Sequence, residues 1–230
     1  MARSYGARVE SRGLFEGWGR LRRVLRIDHA VYAVRDLDAA AERFRRELGL
    51  DSTEGGHHGR WGTANRIVPF GEDYLELIAA VDADRAAGSD FGRATMERAA
   101  AGEGWLAVAV ATDDLDAVAA RLELEIVEGR RERPDGQVLQ WRSAGLEDPK
   151  RAPWLPFFIA WDVPADLHPA RARAGHGVLV QGIAAVDVGG DAGLLRDWLG
   201  GEDLPIHVVP GPDGVRAVAL ATADGHLEIR

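Results

Sequence analysis

The chain has 230 residues and a net charge of −9, with 46% hydrophobic and 28% charged residues, the balance of an ordinary folded protein and not of a disordered or fibrous one. It contains no cysteine, which excludes disulfides, thiolate metal sites, iron–sulfur clusters and cysteine nucleophiles. No apolar run approaches the roughly 20 residues that a membrane helix needs.

Charge is unevenly spread. Residues 1–26 hold seven Arg and two Glu, a net of +5, which leaves −14 on the rest and argues against a nucleic-acid partner for the folded body. This leader has no uninterrupted apolar stretch and no small-residue cleavage site, so it reads as a disordered basic arm, and a cytoplasmic location is expected. Lys150 is the one lysine among 28 basic residues, a usage expected of a GC-rich bacterial genome.

Regular patterning begins at residue 27. Ile27–Val34 is β-branched and apolar, as a buried strand requires. Asp36-Leu-Asp38 carries a helix N-cap, Leu37, Ala41, Phe44 and Leu48 follow at helical spacing, and Gly49 closes the helix. The glycine pair Gly55-Gly56, the segment Thr63–Phe70, a turn at Gly71-Glu-Asp73 and the strand Tyr74–Ala79 complete a first unit. A second starts with Trp105–Thr112, and Asp114–Leu122 repeats Asp36–Phe44 at an offset of 78. A polar hairpin around Pro134-Asp-Gly136 and the strands Gln137–Arg142 and Pro156–Trp161 follow. A third order of strand, helix and strands runs through Val178–Val188, Asp191–Leu199, Ile206–Val209, Val215–Thr222 and His226–Ile229. Val163–Gly177, rich in Pro, Ala and Arg, links the second unit to the third.

The runs IDHAVYAVRDLDAAAERFRRELGL, GGHHGRWGTAN and DYLELIA resemble the glyoxalase-like branch of the vicinal oxygen chelate (glyoxalase/bleomycin resistance/dioxygenase) superfamily. The likeness is good across residues 27–80, fair across 103–162 and thin after 178. It implies an α+β fold of repeated βαβββ modules, two of which curl into a cupped mixed sheet around a metal. The expected organisation is a leader at 1–26, a glyoxalase-like domain at 27–162 with modules 27–80 and 103–162, a linker at 163–177, and a third βαβββ-like unit at 178–230 beside the cup or completing one. An odd number of modules leaves strand edges in need of cover, so a homodimer is expected.

In that superfamily the metal ligands come from the first and last strands of a module, positions that His29 and Glu76 occupy here. Strand alternation puts Glu76 on one face with Tyr74 and Ile78, and Leu75 and Leu77 on the other. The bend Gly55–Asn65 resembles the GGxHxxxGTxN stretch of the same branch, which singles out His58 and Asn65, with Trp61 as a flat apolar wall. His58 is then either a third ligand, giving a two-His-one-carboxylate set for Zn, Ni, Mn or Fe(II), or a general base. At an offset of 152, Glu76 falls on Glu228 and His29 on Gln181, so these two are further candidate ligands, in a set that resembles the glyoxalase I pattern. The second unit departs from the family's metal pattern: Ala107 stands where His29 does, and Phe157, Phe158 and Trp161 form an apolar wall, of which Phe158 is a candidate substrate contact. His168 and His176 are expected to be solvent-exposed.

Two functions follow from this resemblance. One is a metal-dependent isomerase, lyase or dioxygenase acting on a small substrate with vicinal oxygens, with His58 and Glu76 as catalytic residues. The other is a metal-free binding protein of the resistance type. No phosphate loop and no GxSxG elbow competes with them.

Overall fold

The structure, a computed structural model, describes residues 25–133 and 135–230. Most of the basic leader and Pro134 therefore lie outside the described residues. Leu25 and Arg26, placed in the leader by sequence, belong to the folded body: Leu25 is buried and Arg26 opens the first strand.

The elements run β1 (Arg26–Ala33), α1 (Leu37–Leu48), β2 (Thr53–His58), β3 (Thr63–Pro69), β4 (Tyr74–Ala80), α2 (Ala83–Ala87), α3 (Asp90–Ala100), β5 (Gly104–Ala111), α4 (Leu115–Leu122), β6 (Ile126–Glu132), β7 (Val138–Ala144), β8 (Phe157–Trp161), β9 (Val180–Gly189), α5 (Ala192–Trp198), β10 (Ile206–Val208), β11 (Gly214–Thr222) and β12 (Gly225–Ile229). Among the described residues four helices start on an aspartate cap, Asp82 of α2 accepting from the Arg85 N–H. Asp36 accepts from the backbone N–H groups of Asp38 and Ala39, Asp114 from Ala117 and Asp191 from Leu194, which satisfies donors that the first turn leaves open. Gly49 ends α1 at φ 69°, the left-handed conformation that glycine adopts without strain.

The first eight strands close into a barrel in the order β1-β4-β3-β2-β6-β7-β8-β5. Each half repeats one ladder. β1 pairs parallel with β4 and β5 parallel with β8, while the other pairs are antiparallel. β1 and β5 join the halves along a full antiparallel ladder, whereas β2 and β6 meet only at His57 and Glu132. The period of two then sorts side chains. Ala30, Leu75, Leu77, Val108, Val110 and Phe158 point outward into the larger core under the helices, while Val31, Ile78, Ala107, Ala109, Phe157 and Ile159 line the barrel interior.

The third unit has the expected element order but not the expected pairing. Its sheet runs β10-β9-β11-β12, so the first strand is central and the last is at an edge. It packs outside the barrel: Val186, Val188, Val218 and Leu220 share one core with Trp105, Val108 and Phe158. Trp105 Nε1 donates to Ile229 O at 2.9 Å, Trp198 Nε1 donates to Pro156 O at 2.9 Å, and Asp73 accepts the Ile183 N–H. Residues 163–177 are more than a spacer. They form two short 3₁₀ turns, Ala165–Leu167 and Pro169–Arg171, of which the second lies against β3, and Ala170 packs on Ile67 and Tyr74.

Candidate active site

The polar side chains buried inside the barrel include His29 on β1, His58 on β2, Asn65 on β3, Glu76 on β4 and Arg131 on β6. Burying so many polar groups is costly unless each finds partners. Glu76 and its β4 neighbours alternate as expected, Tyr74 and Ile78 facing inward with it. His58 likewise faces inward while His57 is exposed.

His29 is held by a group that sequence reasoning did not single out. Its Nδ1 lies 2.6 Å from Asp28 Oδ1, and its ring stacks on Tyr74 at 4.5 Å. Neighbours on a regular strand face opposite ways, but the β1–β5 register slips between Ile27 and His29, and this bulge turns Asp28 to its neighbour's side. Asp28 is fully buried and also accepts from Trp161 Nε1 at 3.2 Å and faces His168 Nε2 at 3.1 Å. Burial alone would raise its pKa, but hydrogen bonds from His168 and His29 outweigh it and hold the carboxyl well below its usual range. His168 is therefore a partner of the site and not the solvent-exposed linker residue expected. His176 is also engaged, between the Asp51 N–H and Pro69 O.

With Nδ1 of His29 on Asp28, its Nε2 points at Glu76 Oε2, 3.7 Å away. His58 Nδ1 lies 3.0 Å from Thr63 Oγ1, and its Nε2 is 3.9 Å from Glu76 Oε1. Burial, with Arg131, His57 and His29 adding to it, pushes the His58 pKa down to about 3, so its imidazole is neutral at physiological pH. The Asn65 amide donates to Glu76 Oε1 and stands 3.5 Å from His58 Nε2, while Arg131 Nη1 donates to Asn65 Oδ1 at 3.1 Å. The glycines of the bend serve this network: a Cβ at Gly55 would fall on the Asn65 side chain, and one at Gly56 on β6 beside Arg131. They admit the Asn65 side chain and the β6 backbone where a larger residue would collide.

His29, His58, Trp61, Asn65, Tyr74, Glu76 and Arg131 line one small cavity, walled by Phe91, Trp141, Leu146, Phe157 and Ile159. Its volume is about 30 Å³, room for water or an ion, against the roughly 300 Å³ or more of a typical ligand site. A cleft of about 480 Å³ at the surface, lined by Arg60, Ser89, Asp90 and Glu147, shares Leu146 with it. Phe91 comes from α3, an element without a counterpart in the sequence reading.

Three expected site residues lie elsewhere. Phe158 faces the outer core, stacked on Trp198 at 6.0 Å, and its neighbour Phe157 faces the cavity instead, because adjacent strand residues alternate. Gln181 is exposed on β9. Glu228 is exposed on the edge strand β12 and paired with Arg230. The offset of 152 assumed that the third unit pairs its strands as the first does, and it does not.

The donor set suits a divalent ion in kind: two imidazoles, each presenting Nε2 with Nδ1 engaged, and one carboxylate. These groups are not gathered about a point, and the Asn65 amide occupies Glu76 Oε1. Among the described residues no group of three or more His, Cys, Asp or Glu side chains is arranged to hold a metal ion.

Comparison with known proteins follows the same lines. Residues 27–199 match the family described as the glyoxalase-like domain. The chain belongs to that family. The match continues past 162, across the 163–177 segment and into the third unit. A crystal structure of a hypothetical protein from Staphylococcus aureus shares the fold, with 18% identity over 89% of this chain and 84% of that one and a TM-score of 0.62. Methylmalonyl-CoA epimerase from Mycobacterium tuberculosis aligns at 21% identity over 59% of this chain and 85% of its own, with a TM-score of 0.42. A variant of the Streptomyces coelicolor methylmalonyl-CoA epimerase bound to 2-nitronate-propionyl-CoA aligns at 25% identity over 58% and 92%, also at 0.42. A comparison with curated proteins gave no match. The glyoxalase-like resemblance read from the sequence thus holds for fold and family.

Proposed function

We propose that this glyoxalase-like protein is a metal-dependent enzyme acting on a small substrate with vicinal oxygens, in the isomerase, lyase or dioxygenase class. The observation that carries the reading is the meeting of His29 Nε2, His58 Nε2 and the Glu76 carboxylate on three strands inside a closed barrel, with separations of 3.7 and 3.9 Å. These three would hold the ion once the Asn65 amide leaves Glu76. When bound, a divalent ion supplies Lewis-acid stabilisation of negative charge on a substrate oxygen. Asp28 fixes the ring of His29, and Thr63 that of His58. The Asn65 amide, released from the carboxylate, is free to donate to a substrate oxygen. The aromatic side chains Trp61, Phe91, Trp141 and Phe157 lower the polarity around these groups, which strengthens each of these contacts.

The Asn65–Glu76 bond and the nearby Arg131 guanidinium favour a second reading, a metal-free pocket that binds a small compound. Metal analysis separates the two. Protein purified without chelator, and protein supplemented with Zn, Ni, Mn and Fe(II), is expected to carry near-stoichiometric metal. Glu76→Gln is expected to carry none, and Glu228→Gln, at an exposed edge, the same as wild type. Absence of metal under every supplement would refute the enzyme reading. A homodimer built on the open edges β10 and β12, in a cytoplasmic protein, belongs to the same proposal, and sedimentation at several concentrations tests it; among the described residues no helix is long and apolar enough to cross a membrane.

A further inference from the structure

Buried polar atoms in folded proteins almost always have partners, so each exception requires a reason. Among the described residues two buried side-chain polar atoms have none: Trp61 Nε1 and Arg131 Nε. Both are N–H donors, and both residues line the same 30 Å³ cavity. They come from different halves of the barrel, Trp61 from the bend between β2 and β3 and Arg131 from β6. Arg131 is 3% exposed, and its one hydrogen bond within the site goes to a neutral amide oxygen, that of Asn65. No ion pair joins it to a carboxylate among the described residues. The carboxylate it faces, Glu76, is reached only through the Asn65 amide, so the Arg131 Nε–H is left buried with no acceptor of its own, a costly state that an acceptor supplied from outside would relieve.

We infer that the cavity takes a small monocarboxylate, whose oxygens receive the Arg131 and Trp61 N–H donors. The inference deepens the proposed function, because it rests on reading this cavity as the active site, and it names the substrate class. A carboxylate fits better than a phosphate for two reasons. A planar guanidinium edge matches two carboxylate oxygens, whereas a phosphate dianion carries more acceptors and more charge than two free donors satisfy. One side of the remaining wall is apolar, formed by Phe91, Trp141, Leu146, Phe157 and Ile159, and suits a short hydrocarbon or aromatic portion, while His29, His58, Asn65 and Glu76 on the other side face the polar atoms next to the carboxylate. At about 30 Å³ the cavity is smaller than such a ligand, so binding needs its wall to move; Leu146 is shared with the cleft of about 480 Å³, Ile159 with one of about 590 Å³ and Asn65 with one of about 550 Å³.

The test uses the full chain and pyruvate as probe, with pyruvamide, which has the same shape and no charge, as control. Binding is followed by calorimetry and by the Trp61 indole N–H resonance, assigned with Trp61→Phe. Chelator-treated protein is measured first, so that coordination by a metal plays no part. Pyruvate is expected to shift the Trp61 resonance and to bind at least tenfold more tightly than pyruvamide, and Arg131→Met is expected to abolish that preference. Should Arg131→Met fail to fold, as circular dichroism would reveal, Trp61→Phe carries the test and is expected to weaken pyruvate about tenfold. Equal binding of pyruvate and pyruvamide, or no movement of the Trp61 signal, overturns the inference. The outcomes stay separable from those of the metal reading. Stoichiometric metal without an Arg131-dependent carboxylate preference sinks this inference alone, and an Arg131-dependent preference in a protein that never takes up metal sinks the metal reading alone.

Discussion

Asp73 offers a stability prediction whose size can be worked from its surroundings. It lies in the turn between β3 and β4, and both its carboxylate oxygens stand 3.1 Å from the Ile183 N–H, so it ties the barrel to the second sheet. Burial raises its pKa from 3.8 to about 6, against the opposing pull of that backbone donor and with help from Asp28 and Glu72. The folded protein therefore holds a proton between about pH 4 and 6 that the unfolded chain has lost. Stability from this group is fully present below about pH 4 and is lost as pH rises through 6. Two pKa units at about 1.4 kcal/mol each make the loss roughly 3 kcal/mol, an upper figure for a side chain that is partly exposed. Asp73→Asn keeps an acceptor for Ile183 and removes the charge. The variant is expected to match wild type in urea unfolding near pH 4 and to exceed it by about 2–3 kcal/mol at pH 7.5, with unchanged denaturant slope. A variant that is less stable at pH 7.5, or one whose difference from wild type does not vary with pH, would refute the assignment of that strain to Asp73.

Two further predictions separate structure from site. Phe158→Ala empties part of the outer core and is expected to cost about 3–5 kcal/mol in thermal or denaturant unfolding while leaving metal content and pyruvate binding unchanged. Phe157→Ala, which removes the ring lying edge-on to His29 at 5.8 Å, is expected to change pyruvate affinity, and the reverse pattern would show that the strand faces are misassigned. Asp28→Asn takes the charged acceptor from His29 and puts an N–H₂ among three donors. It is expected to lower Zn²⁺ affinity by about 10- to 100-fold in calorimetric titration of stripped protein, a size typical of lost carboxylate support behind a histidine ligand. Unchanged affinity in a folded Asp28→Asn would remove Asp28 from the site.

Much of the barrel is legible in the sequence because its signals are local. Aspartate caps, the glycine that closes α1 and period-two strands each depend on a few neighbouring residues, and His29, His58 and Glu76 come together because the inward faces of β1, β2 and β4 follow from alternation. The failures all involve relations that a linear pattern does not encode. Choosing Phe158 over Phe157 is a slip of one residue, and alternation turns that slip into the opposite face of the sheet. Asp28 reaches His29 through a bulge, visible only in the pairing of two strands. Arg131 stands in a run, Arg130 to Arg133, that reads as a solvated charged turn, although its two neighbours Arg130 and Glu132 are exposed and it alone is buried. Gln181 and Glu228 depended on a repeat that preserves the order of elements and changes the order of strands.

The two halves of the barrel show what the repeat keeps and what it has given up. In the first, Glu76 pairs with Val31, two residues beyond His29; in the second, Phe157 pairs with Ala109, two residues beyond Ala107. Ala107 and Phe157 thus stand at the second-half counterparts of His29 and Glu76, and both are apolar. The ladders match, so the fold does not need the histidine or the carboxylate; an alanine and a phenylalanine serve it as well. Retaining a costly buried cluster in one half while the other shows that it is dispensable for folding points to a role outside stability. On the proposed reading the division is a polarity within the site: the reacting end of a ligand lies against β1 to β4, its hydrocarbon portion lies against β5 to β8, and among the described residues Arg131 is the one charge that the apolar half contributes to the cavity.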